Sequence, residues 1–157
     1  MNFHASGCPP PGLGVTADMD LKEIIKGNSP FAEMLGIRVT GFGDGAGECA
    51  LEIRAEMLNL HRSVHGGVIY SLADIGMGVA LYSLLGQGEQ CSTIEIKINY
   101  FVPARGQRLV CTSRVLQKGR TIAVLEAEVK DRGRLIAKGM GTFSILAAGG
   151  NPGKGED

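Results

Sequence analysis

At 157 residues, with 44% hydrophobic and 20% charged side chains, the chain is long enough for one domain with tails and too apolar for wholesale disorder. Sixteen basic residues balance sixteen acidic ones, so the broad positive field that nucleic-acid binding needs is absent. The lack of Trp and an aromatic content of 5% exclude a base-stacking platform.

Taken in chain order, residues 1–16, with Pro9-Pro10-Pro11 and scattered glycines, read as a flexible arm. Residues 147–157, AAGGNPGKGED, read as a disordered tail, which leaves a folded domain over 17–146. The N-terminus lacks a basic region followed by an apolar one, and no run approaches about 18 apolar residues, so neither a signal peptide nor a membrane span is expected. Cys8, Cys49, Cys91 and Cys111 match no zinc or disulfide spacing, which fits a reducing compartment; a cytoplasmic protein is expected.

Asp18 or Asp20 is placed to cap a short helix running to Lys26, ended by Gly27 and Asn28. Ser29-Pro30 opens another helical turn, with Pro at its first position. Residues 37–43 and the alternation 48–54, with Cys49, Leu51 and Ile53 on one face, predict two strands. Glycines at 41, 43, 45 and 47 suit a hairpin between them. Residues 66–85 are too long for a strand and carry helical spacing: Val68, Ile69, Leu72, Ile75, Val79 and Ala80 cover one broad face, and Gly67, Ser71, Asp74 and Gly78 form a narrow opposite stripe. Gly86 and Gly88 are expected to end this helix. In 93–101, Ile94, Ile96, Ile98 and Tyr100 alternate with Thr93, Glu95, Lys97 and Asn99; 108–117, 121–130 and 134–146 read as three more strands with turns at 118–120 and 131–133. Short connections make the sheet antiparallel, and one long helix against it gives an α+β two-layer domain.

Two features carry chemistry. Asp74 is the only charged side chain between Gly66 and Leu85, and a carboxylate among apolar neighbours is costly unless it is paired or used. The segment Asn59-Leu60-His61-Arg62-Ser63-Val64-His65-Gly66-Gly67 leads into the helix, where two glycines let a ligand approach free backbone N–H groups and the positive helix end. Such a donor can polarise a carbonyl; a turn capped by His65 is the alternative. His61 and His65 have no third ligand at a suitable spacing, so no metal is expected. Ser71 lacks the G-x-S-x-G context of a hydrolase elbow.

The combination of His65-Gly66-Gly67, Leu72-Ala73-Asp74 and Thr93-x-Glu95-x-x-Ile98-Asn99-Tyr100-x-x-Pro103-Ala104 resembles the hotdog-fold acyl-CoA thioesterases of the phenylacetate-pathway (PaaI-like) type, over residues 30–146. The resemblance implies a long central helix wrapped by an antiparallel sheet of about five to six strands. It implies subunits paired through a continuous sheet, a homotetramer built as a dimer of dimers, and an active site between paired subunits. By position, Asp74 resembles the acid that activates water or attacks the thioester, and Asn59 the residue that orients nucleophile or thioester. Gly66, beside His65, resembles the donor whose N–H polarises the carbonyl, and Thr93 the Ser/Thr that assists the water. Gly67 and Ser71 leave room for substrate. Coenzyme A would enter as part of the substrate, with no separate cofactor, and Arg105, Lys118 and Arg120 are candidates for its phosphates; ordinary solvated turn charges are the alternative. Two other readings stand: a noncatalytic acyl-CoA-binding module, and an acyl-thioester hydratase, which needs a catalytic His that does not follow Asp74.

Overall fold

The computed structural model describes residues 29–86 and 89–146. The arm, the helix expected to end at Lys26 and the tail lie outside them. The Ser29 hydroxyl accepts the Ala32 N–H at 3.2 Å and Pro30 fills the first turn, giving helix α1 (Pro30–Leu35), closed by Gly36 at φ 73. Six strands follow: β1 (Ile37–Gly43), β2 (Ala46–Glu52), β3 (Gln90–Tyr100), β4 (Arg108–Lys118), β5 (Ile122–Asp131) and β6 (Arg134–Leu146). Helix α2 (Gly66–Tyr82) lies between β2 and β3 in the chain. The sheet is antiparallel throughout, ordered β1-β2-β4-β5-β6-β3, so β3 forms one edge of it. This is the hotdog architecture that the motif resemblance implies.

Helix α2 lies against the sheet. Its Ile69, Leu72, Ala73, Met77, Ala80 and Leu81 are buried together with Leu51, Leu109, Leu125, Val129 and Phe143 from the strands. Each such large side chain contributes about 1.5–3 kcal/mol when fully buried. The buried face is turned relative to the expected one: Val68 and Ile75 are only half-buried, and Met77 and Leu81 take their places. The cause is close contact with β2 and β4. A Cβ on Gly76 would lie 2.9 Å from Cys111 Sγ and Ser113 Oγ, and one on Gly47 would lie 2.9 Å from the Ala80 nitrogen. Small residues on both sides decide which face of the helix touches the sheet.

Two boundaries also differ from expectation. The β1–β2 turn is made by Asp44 and Gly45, both at positive φ, while Gly41 and Gly47 lie inside strands. Helix α2 stops at Tyr82, before Gly86. The buried Ser83 hydroxyl donates to Ala80 O at 2.7 Å and accepts the Gly45 N–H at 2.8 Å, so a tertiary contact with the hairpin ends the helix.

Candidate active site

The start of α2 is built by the 59–65 loop. Asn59 Oδ1 accepts the N–H groups of His61 (2.9 Å) and Ser63 (3.2 Å), and its Nδ2 donates to Ser63 Oγ at 2.9 Å. The Asn59 side chain is therefore engaged within its own loop, and that loop fixes the approach to the helix. His65 caps α2: its Nδ1 accepts the Gly67 N–H at 3.0 Å, which requires the unprotonated nitrogen there. With Gly67 served, the Gly66 N–H is the first helix donor without an intramolecular acceptor among the described residues. Tyr100, at the end of β3, closes over it by donating its hydroxyl to Gly66 O at 3.0 Å. A cleft of about 290 Å³ opens here, lined by Asn59, Ser63 and Gly66 from the loop and helix start and by Tyr100, Pro103 and Ala104 from the end of β3 and the segment after it.

Asp74 lies two turns further along α2, half-buried on the polar stripe. Thr93 Oγ1 donates to Asp74 Oδ1 at 2.8 Å. Burial pushes the Asp74 carboxyl above the usual 3.8, and the Thr93 hydrogen bond pulls in the opposite direction. Cys91 is close enough for Asp74 to act on it; burial, with Asp74's charge adding to it, pushes its thiol up to about 11. Ser71 Oγ donates to Gly67 O at 2.9 Å, and a Cβ on Gly78 would meet nothing within 4 Å, so there is open space along the stripe beside Asp74.

Thr93 reaches Asp74 because β3 is irregular. The register with β6 runs Cys91↔Ile145 and Thr93↔Phe143, skips Ile94, and resumes at Glu95↔Thr142, so that Ile96 meets Gly141 and Ile98 meets Gly139. The extra residue shifts the phase of the strand. Cys91, Thr93, Ile96 and Ile98 consequently share the helix-facing side, whereas strict alternation puts Thr93 with Glu95 and Lys97. Ile94 is left 56% exposed.

Within one chain these residues form two groups. Gly66, His65 and Asn59 meet at the helix start; Asp74, Thr93 and Cys91 meet mid-helix. Eight residues at about 1.5 Å each separate Gly66 from Asp74 by about 12 Å, so one carbonyl cannot touch both within a single subunit. The three candidate cations are divided as well. Arg105 follows Ala104 at the cleft, with its backbone N–H donating to Asp131 Oδ2 at 2.9 Å. Lys118 and Arg120 lie at the opposite end of the sheet, by the β4–β5 turn, where Lys118 Nζ approaches Glu89 Oε2 at 3.8 Å. Ser63, Cys91 and Asp131 went unnoticed in the sequence as site residues. Ser63 alone had a usable signal, lying inside the Asn59–Gly67 segment. No cluster of three or more His, Cys, Asp or Glu side chains suited to a metal occurs among the described residues.

Comparison with known proteins agrees with the fold. The thioesterase superfamily pattern matches residues 61–138, from the loop before α2 into β6. The acyl-coenzyme A thioesterase PaaI of Escherichia coli (strain K12) is 31% identical over 103 residues, covering 65% of this chain and 71% of the relative. The chain belongs to the thioesterase superfamily. The medium/long-chain acyl-CoA thioesterase YigI of Escherichia coli (strain K12) is 29% identical over 83% of this thioesterase and 97% of its own length. A conserved protein of known structure from Pseudomonas aeruginosa shares 40% identity with a TM-score of 0.73, covering 75% of this chain and 94% of that one. Membership makes the protein a thioester hydrolase; among the described residues, no helix is long and apolar enough to cross a membrane.

Proposed function

We propose that this thioesterase hydrolyses acyl-CoA to the free acid and coenzyme A, at sites that each combine two subunits. The observation that carries the reading is the separation within one chain of a polarising donor at Gly66 from a half-buried, Thr93-bonded carboxylate at Asp74. A second copy, paired along the open β3 edge, supplies the missing half. The names of PaaI and YigI, both acyl-CoA thioesterases, favour coenzyme A as the carrier.

The substrate carbonyl accepts the Gly66 N–H of one subunit. Charge that develops on that oxygen during attack meets a donor already in place at the positive end of α2. Asp74 of the other subunit acts as general base on a water or as the nucleophile itself. Its raised pKa, caused by burial, makes its ionised form a stronger base than an exposed Asp. Thr93 holds one carboxylate oxygen at 2.8 Å and leaves the other for the water. Asn59 acts from within the loop that sets the position of Gly66. The short reach of Asp favours the water route. In this reading the enzyme is a tetramer of paired dimers and works in the cytoplasm, where Cys91 stays reduced.

The test is Asp74→Asn, assayed by thiol release from a series of acyl-CoA substrates. Loss of the base should lower turnover by about 10²–10⁴ while the oligomer stays intact. Near wild-type turnover would remove Asp74 from the mechanism. Wild-type protein that binds acyl-CoA without hydrolysing it would instead favour the binding-module reading.

A further inference from the structure

We propose that the nucleotide phosphates of coenzyme A are received by a cationic rim formed by Arg62 and Arg105, and that Asp131 is a positioning residue for Arg105. The proposal rests on the reading of the protein as an acyl-CoA hydrolase and names the groups that would recognise its carrier.

The cleft in front of Gly66 is walled by residues of two loops. Asn59 and Ser63 belong to one, Pro103 and Ala104 to the other. Arg62 lies between the first two residues and Arg105 directly follows the second pair. The walls are joined by the Val64 N–H donating to Ala104 O at 2.9 Å, so the two arginines sit on loops held in a fixed relation. Both side chains are exposed, and among the described residues neither is ion-paired, a property shared with Arg38, Lys97, Arg120, Arg132 and Arg134; what sets Arg62 and Arg105 apart is their place beside the cleft-lining residues.

Each arginine is placed by a specific device. Arg62 adopts φ 55, a left-handed conformation that glycine or asparagine would take at less cost. It is held there from both sides: Asn59 Oδ1 takes the His61 and Ser63 N–H groups, and Asn59 O takes the Arg62 N–H at 3.0 Å. Arg105 is placed by Asp131, whose Oδ2 accepts the N–H groups of Arg105 (2.9 Å) and Gly106 (2.8 Å). A Cβ on Gly106 would run into the same carboxylate, so the loop lies directly on it. The other oxygen, Asp131 Oδ1, is buried without a partner, an energetic cost. What the carboxylate secures in return is the course of the Arg105 loop.

The chemistry favours a phosphate. Guanidinium groups offer paired donors that match phosphate oxygens. With 16 basic and 16 acidic residues the protein has no overall positive field, so attraction for a carrier with several negative charges must be local. Lys118 and Arg120 are less suited within one chain, because they lie at the far end of α2 and Lys118 faces Glu89.

The experiment compares one acyl group carried on coenzyme A and on N-acetylcysteamine, which keeps the thioester and lacks every phosphate. Arg62→Ala and Arg105→Ala should each lower the preference in kcat/KM for the CoA thioester about three- to tenfold, through KM, and the double variant should lower it further. Arg→Lys variants should fall between, and the losses should shrink at high salt. Asp131→Ala should reproduce Arg105→Ala and add nothing in the Arg105→Ala background; Asp131→Asn, which keeps an acceptor oxygen, should recover most of the preference. A merely structural Asp131 would lower the melting temperature and slow both thioesters alike, which overturns its positioning role. Calorimetric titration with coenzyme A gives a readout independent of turnover. Unchanged CoA affinity in the Arg62→Ala, Arg105→Ala double variant at low ionic strength overturns the rim. Wild-type protein that binds CoA through these arginines but cleaves no thioester supports the rim and overturns the hydrolase reading.

Discussion

Chains carrying Gly66→Pro and chains carrying Asp74→Asn, each inactive alone, should recover activity when they share an oligomer. Proline suits the first position of a helix, and His65 precedes it at φ −61 and ψ 136, the backbone a residue before proline prefers. A Cβ at Gly66 would approach Tyr100 no closer than 3.4 Å, so the main loss is the N–H. Deleting a carbonyl-polarising donor costs about 10²–10³ in kcat, and deleting the base about 10²–10⁴, so each parent should retain about 1% of activity or less. If Gly66 and Asp74 of a site come from different subunits, each mixed pair holds one intact site and one doubly damaged site. Random pairing at equal amounts makes half the pairs mixed, so about a quarter of the wild-type rate should return. Co-expression with two affinity tags and tandem purification should isolate mixed oligomers, assayed by thiol release from acyl-CoA. Verified mixed oligomers no more active than their parents would refute the two-chain site. Gly66→Pro that turns over normally would refute the donor.

Other outcomes follow from the same geometry. The acid limb of kcat/KM should lie above the pH at which an ordinary Asp titrates, and Thr93→Val should move it higher still, because the lost hydrogen bond favoured the ionised form. Since the folded pKa of Asp74 is raised, its stabilising contribution is complete below the unfolded value and is lost as pH rises through the folded one. Asp74→Asn should therefore raise the melting temperature at neutral pH, with the gain fading below about pH 4. Gly47→Ala should destabilise by about 1–3 kcal/mol in urea titrations, because its Cβ meets the backbone of Gly76 and Ala80. Cys91, with its thiol pushed up to about 11, and the fully buried Cys49 and Cys111 should all resist alkylation at pH 7 in the native protein; rapid labelling of Cys91 would contradict its packing beside Asp74.

The elements fixed by local chemistry were legible. Ser29-Pro30 signals its helix, the Lys118–Arg120 and Asp131–Gly133 turns bound β5, and the long apolar run after Gly66 admits no strand. Features set by distant contacts were not. Nothing near Ser83 says that Gly45 will take its hydroxyl and end α2 ahead of Gly86. The alternation through β3 is regular in sequence, and only pairing with β6 displaces Ile94 and turns Thr93 toward Asp74. For the site, Asp74 and Gly66 could be identified because one is a charge in an apolar run and the other a glycine at a helix start. The division of the cations could not, since Arg105 and Lys118 both follow or end strands and differ only in which end of the sheet receives them.

The place of β3 has a consequence for the nascent chain. Strand β3 is made before β4, β5 and β6, yet its sole neighbour in the sheet is β6, the last strand of the fold. The three strands in between can pair through short hairpins as they emerge, whereas β3 must wait until Arg134–Leu146 has left the ribosome. Thr93 rides on that waiting strand and Asp74 on the helix beneath it, so the carboxylate gains its hydrogen bond only once β6 is in place. A polypeptide stopped before β6 would carry every proposed catalytic side chain and still be unable to assemble them. The emergence of β6 thus acts as a built-in delay on the appearance of activity.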